Sequence, residues 1–145
     1  MKLHGIKVEI WLAYLAVFFT GCAIGMTQGQ SPQQPPAKSQ GVSVTPLGDL
    51  KPASLKIQLG LDGYTMQMRE VVVEPGGVIA QHAHDTRPGL VKTVSGSWVE
   101  VRGEEKIPFP AAKKAALVED ENTVHWLYND GSEPAVAIVC GLAKS

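Results

Sequence analysis

From about Leu47 to the C-terminus the apolar residues come in short runs, many alternating with polar ones, and turn-forming residues interrupt them. Alternation has the period of a strand, and turns recurring roughly every 8 to 12 residues are the mark of an all-β sandwich or barrel. Lys56-Ile57-Gln58-Leu59 alternates, and Asp62-Gly63 then turns the chain. The run from Tyr64 to Val73 follows, with Met66, Met68 and Glu70 on one face that is expected to point inward. Pro75-Gly76-Gly77 should stop it, because proline lacks a donor and glycine admits positive φ. A strand carrying His82 and His84 comes next, then the turn from Asp85 to Gly89 and a return from Leu90 to Ser95. Trp98 to Val101 pairs through the bend Arg102-Gly103-Glu104-Glu105. Ile107-Pro108-Phe109-Pro110 does not suit a central strand, so it reads, with Ala111 to Ala116, as a cover at one barrel end. Thr123 to Asn129 is strand-like, Asn129-Asp130-Gly131 supplies a hairpin turn, and Ala135 to Cys140 is expected to be a buried last strand.

Ahead of this region the pattern changes twice. Residues 1–25 begin with Lys2 and Lys7, continue through the uncharged run from Ile10 to Phe19, and end in small residues, the layout of a targeting segment. Export to the periplasm or the extracellular space is expected, with three fates for the leader. It is cleaved after a small-x-small pair such as Ala23-Ile24-Gly25, or lipidated at Cys22, or kept as an anchor. Phe19-Thr20-Gly21-Cys22 resembles a bacterial lipobox, and either of the last two fates tethers the protein to a membrane. Residues 26–48 are rich in Pro, Gln and Ser and read as a disordered linker, which leaves 49–145 as the single folded domain.

Composition agrees with one globular unit: 44% of the 145 residues are apolar and 19% charged. From position 46 onward there are 10 basic and 13 acidic residues, a balance of −3, and no basic patch with interleaved aromatics invites nucleic acid. Once the leader is gone Cys140 is the sole cysteine, so no internal disulfide forms, and in its apolar run it reads as a small buried hydrophobe. Trp98 and Trp126 read as core, Trp126 facing away from its neighbour His125.

The chemistry rests on histidine. Of four in the chain, His4 lies in the leader; His82 and His84 share one face of a strand, ~7 Å apart along it, and His125 lies in Thr-Val-His-Trp-Leu-Tyr-Asn. Two solvated histidines on a strand would show the same spacing as a pair of metal ligands. Gly76, His82, His84 and Gly96 fall on the pattern G-x5-H-x-H-x(3,4)-E-x6-G, and His125 and Asn129 on the close of G-x5-P-x-G-x2-H-x3-N. In these positions, over roughly residues 55 to 142, the chain resembles the cupin superfamily, most nearly its small quercetin-dioxygenase-like members. It departs where the motif glutamate stands, at Gly89, and where the second motif has glycine, proline and glycine, at Lys114, Asp120 and Asn122.

The resemblance implies a cupin jelly-roll β-barrel, or double-stranded β-helix, with His82, His84 and His125 holding a divalent transition metal (Fe, Mn, Ni, Cu or Zn). It also implies a small-molecule ligand, dioxygenase-type activity on a small oxygen-rich or aromatic compound, and homodimers. Glu70, Asp85, Glu121 and Gln81 are the candidates to replace the missing carboxylate. Lys92, Arg69 and Tyr128, with Glu70, are the candidates to act on or orient substrate, Arg87 and Tyr64 adding to them at the mouth. A non-enzymatic ligand- or metal-sensing cupin and a metal-free shell are the rival outcomes.

Overall fold

The structure, a computed structural model, describes residues 34–144, so the leader, Cys22 and the first part of the linker lie outside the described residues. The order is β1 (Gln40–Leu50), α1 (Pro52–Leu59), β2 (Tyr64–Ala83), β3 (Gly89–Ser95), β4 (Ser97–Arg102), β5 (Glu105–Pro110), β6 (Leu117–Glu119), β7 (Val124–Tyr128) and β8 (Ala135–Lys144). The strands pair in the order β5-β4-β7-β2-β8-β3-β6, with β1 added on β2, and curl into a nearly closed barrel. This is the all-β architecture expected from the turn spacing. Among the described residues no helix is long and apolar enough to cross a membrane.

β2 runs through Pro75-Gly76-Gly77 where a stop was expected. The strand changes partner there: Tyr64–Val73 pairs with β8 and Val78–Ala83 with β7. Gly76 takes φ 75°, a left-handed value that side chains resist, and its N–H donates to the Asn129 carbonyl at 2.9 Å. A Cβ on Gly77 would stand 2.8 Å from the carbonyl oxygens of Glu74 and Gly41. The glycines therefore bend one strand across the barrel and keep it hydrogen-bonded.

The inner face of β2 is also the opposite of the one expected. Arg69, Val71 and Val73 oppose Val139, Ala137 and Ala135 of β8, and these valines and alanines form the core with Trp98, Leu127 and Leu117. Burying an aliphatic side chain there contributes about 1.5–3 kcal/mol. Met66 and Met68 point outward and stay exposed. They belong to an outer face that also shows Leu90, Val94 and Val118, so two faces of similar apolarity compete and alternation alone does not choose between them.

Lys56-Ile57-Gln58-Leu59 is helical. Pro52 sits in the first turn, where its missing N–H costs nothing, and Gly60 closes the helix at φ 70° with its N–H on the Lys56 carbonyl at 3.0 Å. Leu55 alone anchors this helix in the interior, and Ile57 is 85% exposed, so the alternation serves no core. β1 reaches back to Gln40, into the stretch taken as linker; only Val42 of this strand is even half-buried. β5, with Pro108 and Pro110, is the edge strand its prolines require. In β8, Ala135, Ala137 and Val139 are buried, while Cys140, on the other face, is half-buried.

Candidate metal centre

His82 on β2 stands directly across from His125 on β7, beyond a register shift after Ile79 that turns the end of β2 into the barrel. His84 is fixed two residues on, where its N–H donates to the Thr123 carbonyl at 2.9 Å. The His125 Nε2 lies 3.1 Å from the Nε2 of His82 and 3.1 Å from that of His84. Glu119, from the three-residue β6, completes a group of four whose ligand atoms all lie within 4.8 Å of one another. Three of the four are buried and His82 is half-buried.

The outer nitrogen of each ring is committed. His82 Nδ1 meets the Ala80 carbonyl at 2.8 Å, His84 Nδ1 the Arg87 carbonyl at 3.0 Å, and His125 Nδ1 the Glu100 Oε1 at 2.6 Å. These partners only accept, so each Nδ1 is the donor and each neutral ring turns an Nε2 lone pair toward the other two. Three lone pairs at such spacing repel unless a cation lies between them. With the His125 Nε2 3.1 Å from each of the other two, all three nitrogens are near enough to be held by a single ion. Burial supports the neutral state: it drives the His82 pKa down to about 4, against a smaller upward pull from the Ala80 carbonyl, and it lowers His84 as well. The residues therefore fit a divalent metal.

The carboxylate comes from a position the motif does not predict. Gly89 and Glu119 are paired residues on adjacent strands, and a Cβ on Gly89 would stand 2.5 Å from Glu119 Oε2. The glycine that replaces the motif glutamate thus clears the space into which a neighbouring strand sends a glutamate. The ligand set gains a negative charge that three histidines alone would lack. Of the residues expected to supply it, Glu70, Asp85 and Glu121 are not in the cluster, and Gln81 lines the cavity beside it. The available signal was parity, since Leu117 is buried and Glu119 two residues on faces the same way.

Two buried carboxylates therefore touch the histidines. Burial pushes Glu100 upward, but hydrogen bonds from His125 and from Arg102 Nε at 2.7 Å outweigh it and hold the acid below its ordinary range. Burial pushes Glu119 upward too, and there it prevails over the nearby positive groups. Glu119 Oε2 is 3.4 Å from His84 Nδ1, and Oε1 is 3.7 Å from His125 Nε2.

The cluster opens on a cavity of about 520 Å³ walled by apolar side chains such as Val71, Ile79, Val91 and Leu127. Arg69 and Arg87 line it. The other proposed substrate-orienting residues lie elsewhere. Lys92 sits on the outer face and donates to the carbonyls of Ala111 and Lys113, at 3.1 and 2.5 Å, tying down the segment after β5. Tyr128 packs on Trp126, ring centroids 5.4 Å apart, in a second cluster on the far side of β7, as the alternation after His125 requires. Glu70 points out with Met66 and Met68. Asn129, matched in the second motif, is a brace: its Nδ2 donates to the Val73 and Glu133 carbonyls at 2.9 and 2.8 Å.

No protein-family model and no curated protein matches the sequence. Solved structures do match the fold. The Cupin_2 domain of an XRE family transcriptional regulator from Enterobacter cloacae aligns over 70% of this chain and 96% of its own, at TM-score 0.53 and 15% identity. A predicted oxalate decarboxylase from Thermotoga maritima aligns over 69% and 78%, at 0.54 and 15%. The chain has the cupin fold. A sugar phosphate isomerase of the cupin superfamily from Silicibacter pomeroyi aligns over 72% of this chain and 66% of its own, at 0.52 and 20%. Proteins of such different kinds share one barrel, so the barrel does not select a reaction and function has to be argued from the site.

Proposed function

We propose that this cupin is an exported metal-dependent enzyme of the dioxygenase-like kind. It binds one divalent transition metal through His82, His84, His125 and Glu119 and acts on a small oxygen-rich or aromatic compound in the adjoining cavity. The observation that carries the proposal is the convergence of three Nε2 lone pairs whose rings are locked by Nδ1 donation. Outer partners of this kind fix ring orientation and raise ligand basicity. A bound ion would act as a Lewis acid toward an oxygen placed at its open positions, the chemistry that dioxygen- and carbonyl-activating sites require. The chain's own residues supply the rest: Glu100 holds His125 in one tautomer, apolar side chains offer a surface for the body of a ligand, and Arg69 and Arg87 set the charge of the cavity. The basic-then-apolar leader supports export, with a membrane tether wherever the leader or a lipid on Cys22 is retained.

A non-enzymatic binding module is the second reading. It is favoured by the cavity wall, where the titratable acids and bases other than arginine are the three cluster members His82, His84 and Glu119. Both readings predict about one metal ion per chain in protein purified without chelator or polyhistidine tag, measured by elemental analysis. Metal far below that level, unchanged in His84→Ala, overturns both. With metal present, oxygen consumption against flavonols, thiols and diketones separates the enzyme from the binder.

A further inference from the structure

The cavity beside the cluster has an unbalanced charge. Its wall carries two guanidinium groups, Arg69 and Arg87, and one carboxylate, Glu119, which the metal reading assigns to the ion. Among the described residues the Arg69 side chain makes no hydrogen bond and no ion pair, and its Nε is buried without a partner. The Arg87 side chain donates once, from Nε to the Ala83 carbonyl at 3.0 Å, and its terminal nitrogens have no protein acceptor among the described residues. Arg102 shows what this chain does with an arginine meant for structure: Nε binds Glu100 at 2.7 Å and Nη2 the Val118 carbonyl at 2.9 Å. A third donor, the Trp98 indole N–H, is buried on the same wall without an acceptor.

Leaving a guanidinium part-buried and uncompensated destabilises a fold. Such a cost persists where an outside group supplies the missing partner. A guanidinium matches a planar carboxylate by two parallel hydrogen bonds, and the rest of the wall is apolar. We infer that the cavity takes a small monocarboxylic acid with an apolar body, its carboxylate on Arg69 with Arg87 at the rim, its body against Val71, Ile79, Val91 and Leu127. The inference rests on the metal reading only in assigning Glu119 to the ion; the arginines are unpaired either way. Arg87 is exposed at the rim and Arg69 is the guanidinium held within the wall, and one guanidinium matches one carboxylate.

The test is calorimetric binding of phenylacetate, its neutral isostere phenylacetamide and phenyl phosphate to the full chain, metal-loaded and metal-stripped. The stripped protein isolates Arg69, because a bound cation itself favours an acid. Phenylacetate should bind about tenfold more tightly than the amide, the worth of one charge-assisted contact. Arg69→Gln should erase most of that preference and leave metal content unchanged, and Arg69→Lys should restore part of it. Equal binding of acid and amide by the unaltered protein overturns the inference without any variant having to fold. A preference unmoved by Arg69→Gln overturns it as well, and tighter binding of phenyl phosphate overturns the carboxylate class. Metal content of the same samples keeps the two readings apart: metal without acid preference sinks this inference alone, and acid preference without metal sinks the metal reading alone.

Discussion

Glu100 and Glu119 are both nearly inaccessible, both lie beside His125, and are shifted in opposite directions. Glu100 accepts two charge-assisted hydrogen bonds on Oε1, from a ring that needs orienting and from an arginine that reaches out to solvent. The Glu119 carboxylate makes no hydrogen bond among the described residues and lies 3.4 to 3.7 Å from ring nitrogens. A buried anion with partners is part of the scaffold. One without them is a group waiting for a cation, and here the empty space it reaches was made by a glycine on the next strand.

The largest effect should come from separating the two acids. Glu119→Ala should lower metal affinity by more than the roughly 10–100-fold that losing an outer partner costs, while the metal-free fold keeps or gains stability because a desolvated anion is gone. Glu100→Gln should lower affinity within that 10–100-fold range and also destabilise the metal-free protein by about 3 kcal/mol, since Arg102 and His125 lose a charged acceptor. Competition with a metal chelator and denaturant unfolding measure the two quantities. If Glu100→Gln proves the worse variant for metal, the assignment of roles is reversed.

Gly89→Ala sharpens the comparison at smaller cost. Gly89 is outside the set of positive-φ glycines, so the new methyl meets no backbone strain and confronts only Glu119 Oε2 at 2.5 Å. Pushing the carboxylate aside should weaken metal binding about tenfold and cost ~1–3 kcal/mol or less, by the usual penalty of overpacking. Gly89→Glu combined with Glu119→Gly returns the acid to the strand where the motif carries it. Recovery of metal by the double variant, read by elemental analysis, would establish that the two positions share one carboxylate; failure of recovery in a folded double variant would break that equivalence.

The barrel was legible because turn residues and alternation act locally, and each strand declares itself within a few positions. The three histidines were legible for the same reason, with a spacing of two on one strand and a third in an apolar strand. Glu119 was not, because its role depends on cross-strand register with Gly89, and nothing within three residues of it in the chain encodes that partner. The misassigned face of Met66, Met68 and Glu70 has a related cause. Both sides of β2 carry apolar residues, and only the pairing of Val71 and Val73 with alanines of β8 decides which side is inside. In α1, two end signals, Pro52 and Gly60, outweighed a four-residue alternation.

The smallest effect expected is on acid stability of the metal-free protein, where the two kinds of group oppose each other. His82 titrates at 6.5 in the unfolded chain and at about 4 in the folded one, so between those values the unfolded state holds more protons and stability falls as the pH falls. His84, also lowered, acts in the same direction. Glu119 acts against them: its raised pKa lets the folded state take a proton first, which restores stability as the medium is acidified. The net loss between pH 6.5 and about 4 should be on the order of 1–2 kcal/mol for a ring only part-buried, or roughly 5–10 °C in Tm. Glu119→Gln should steepen the decline by removing the opposing group, and His82→Phe should flatten it. A decline that Glu119→Gln leaves unchanged would mean that the carboxylate is not desolvated in the metal-free barrel, and the contrast with Glu100 would then lie in hydrogen bonding alone.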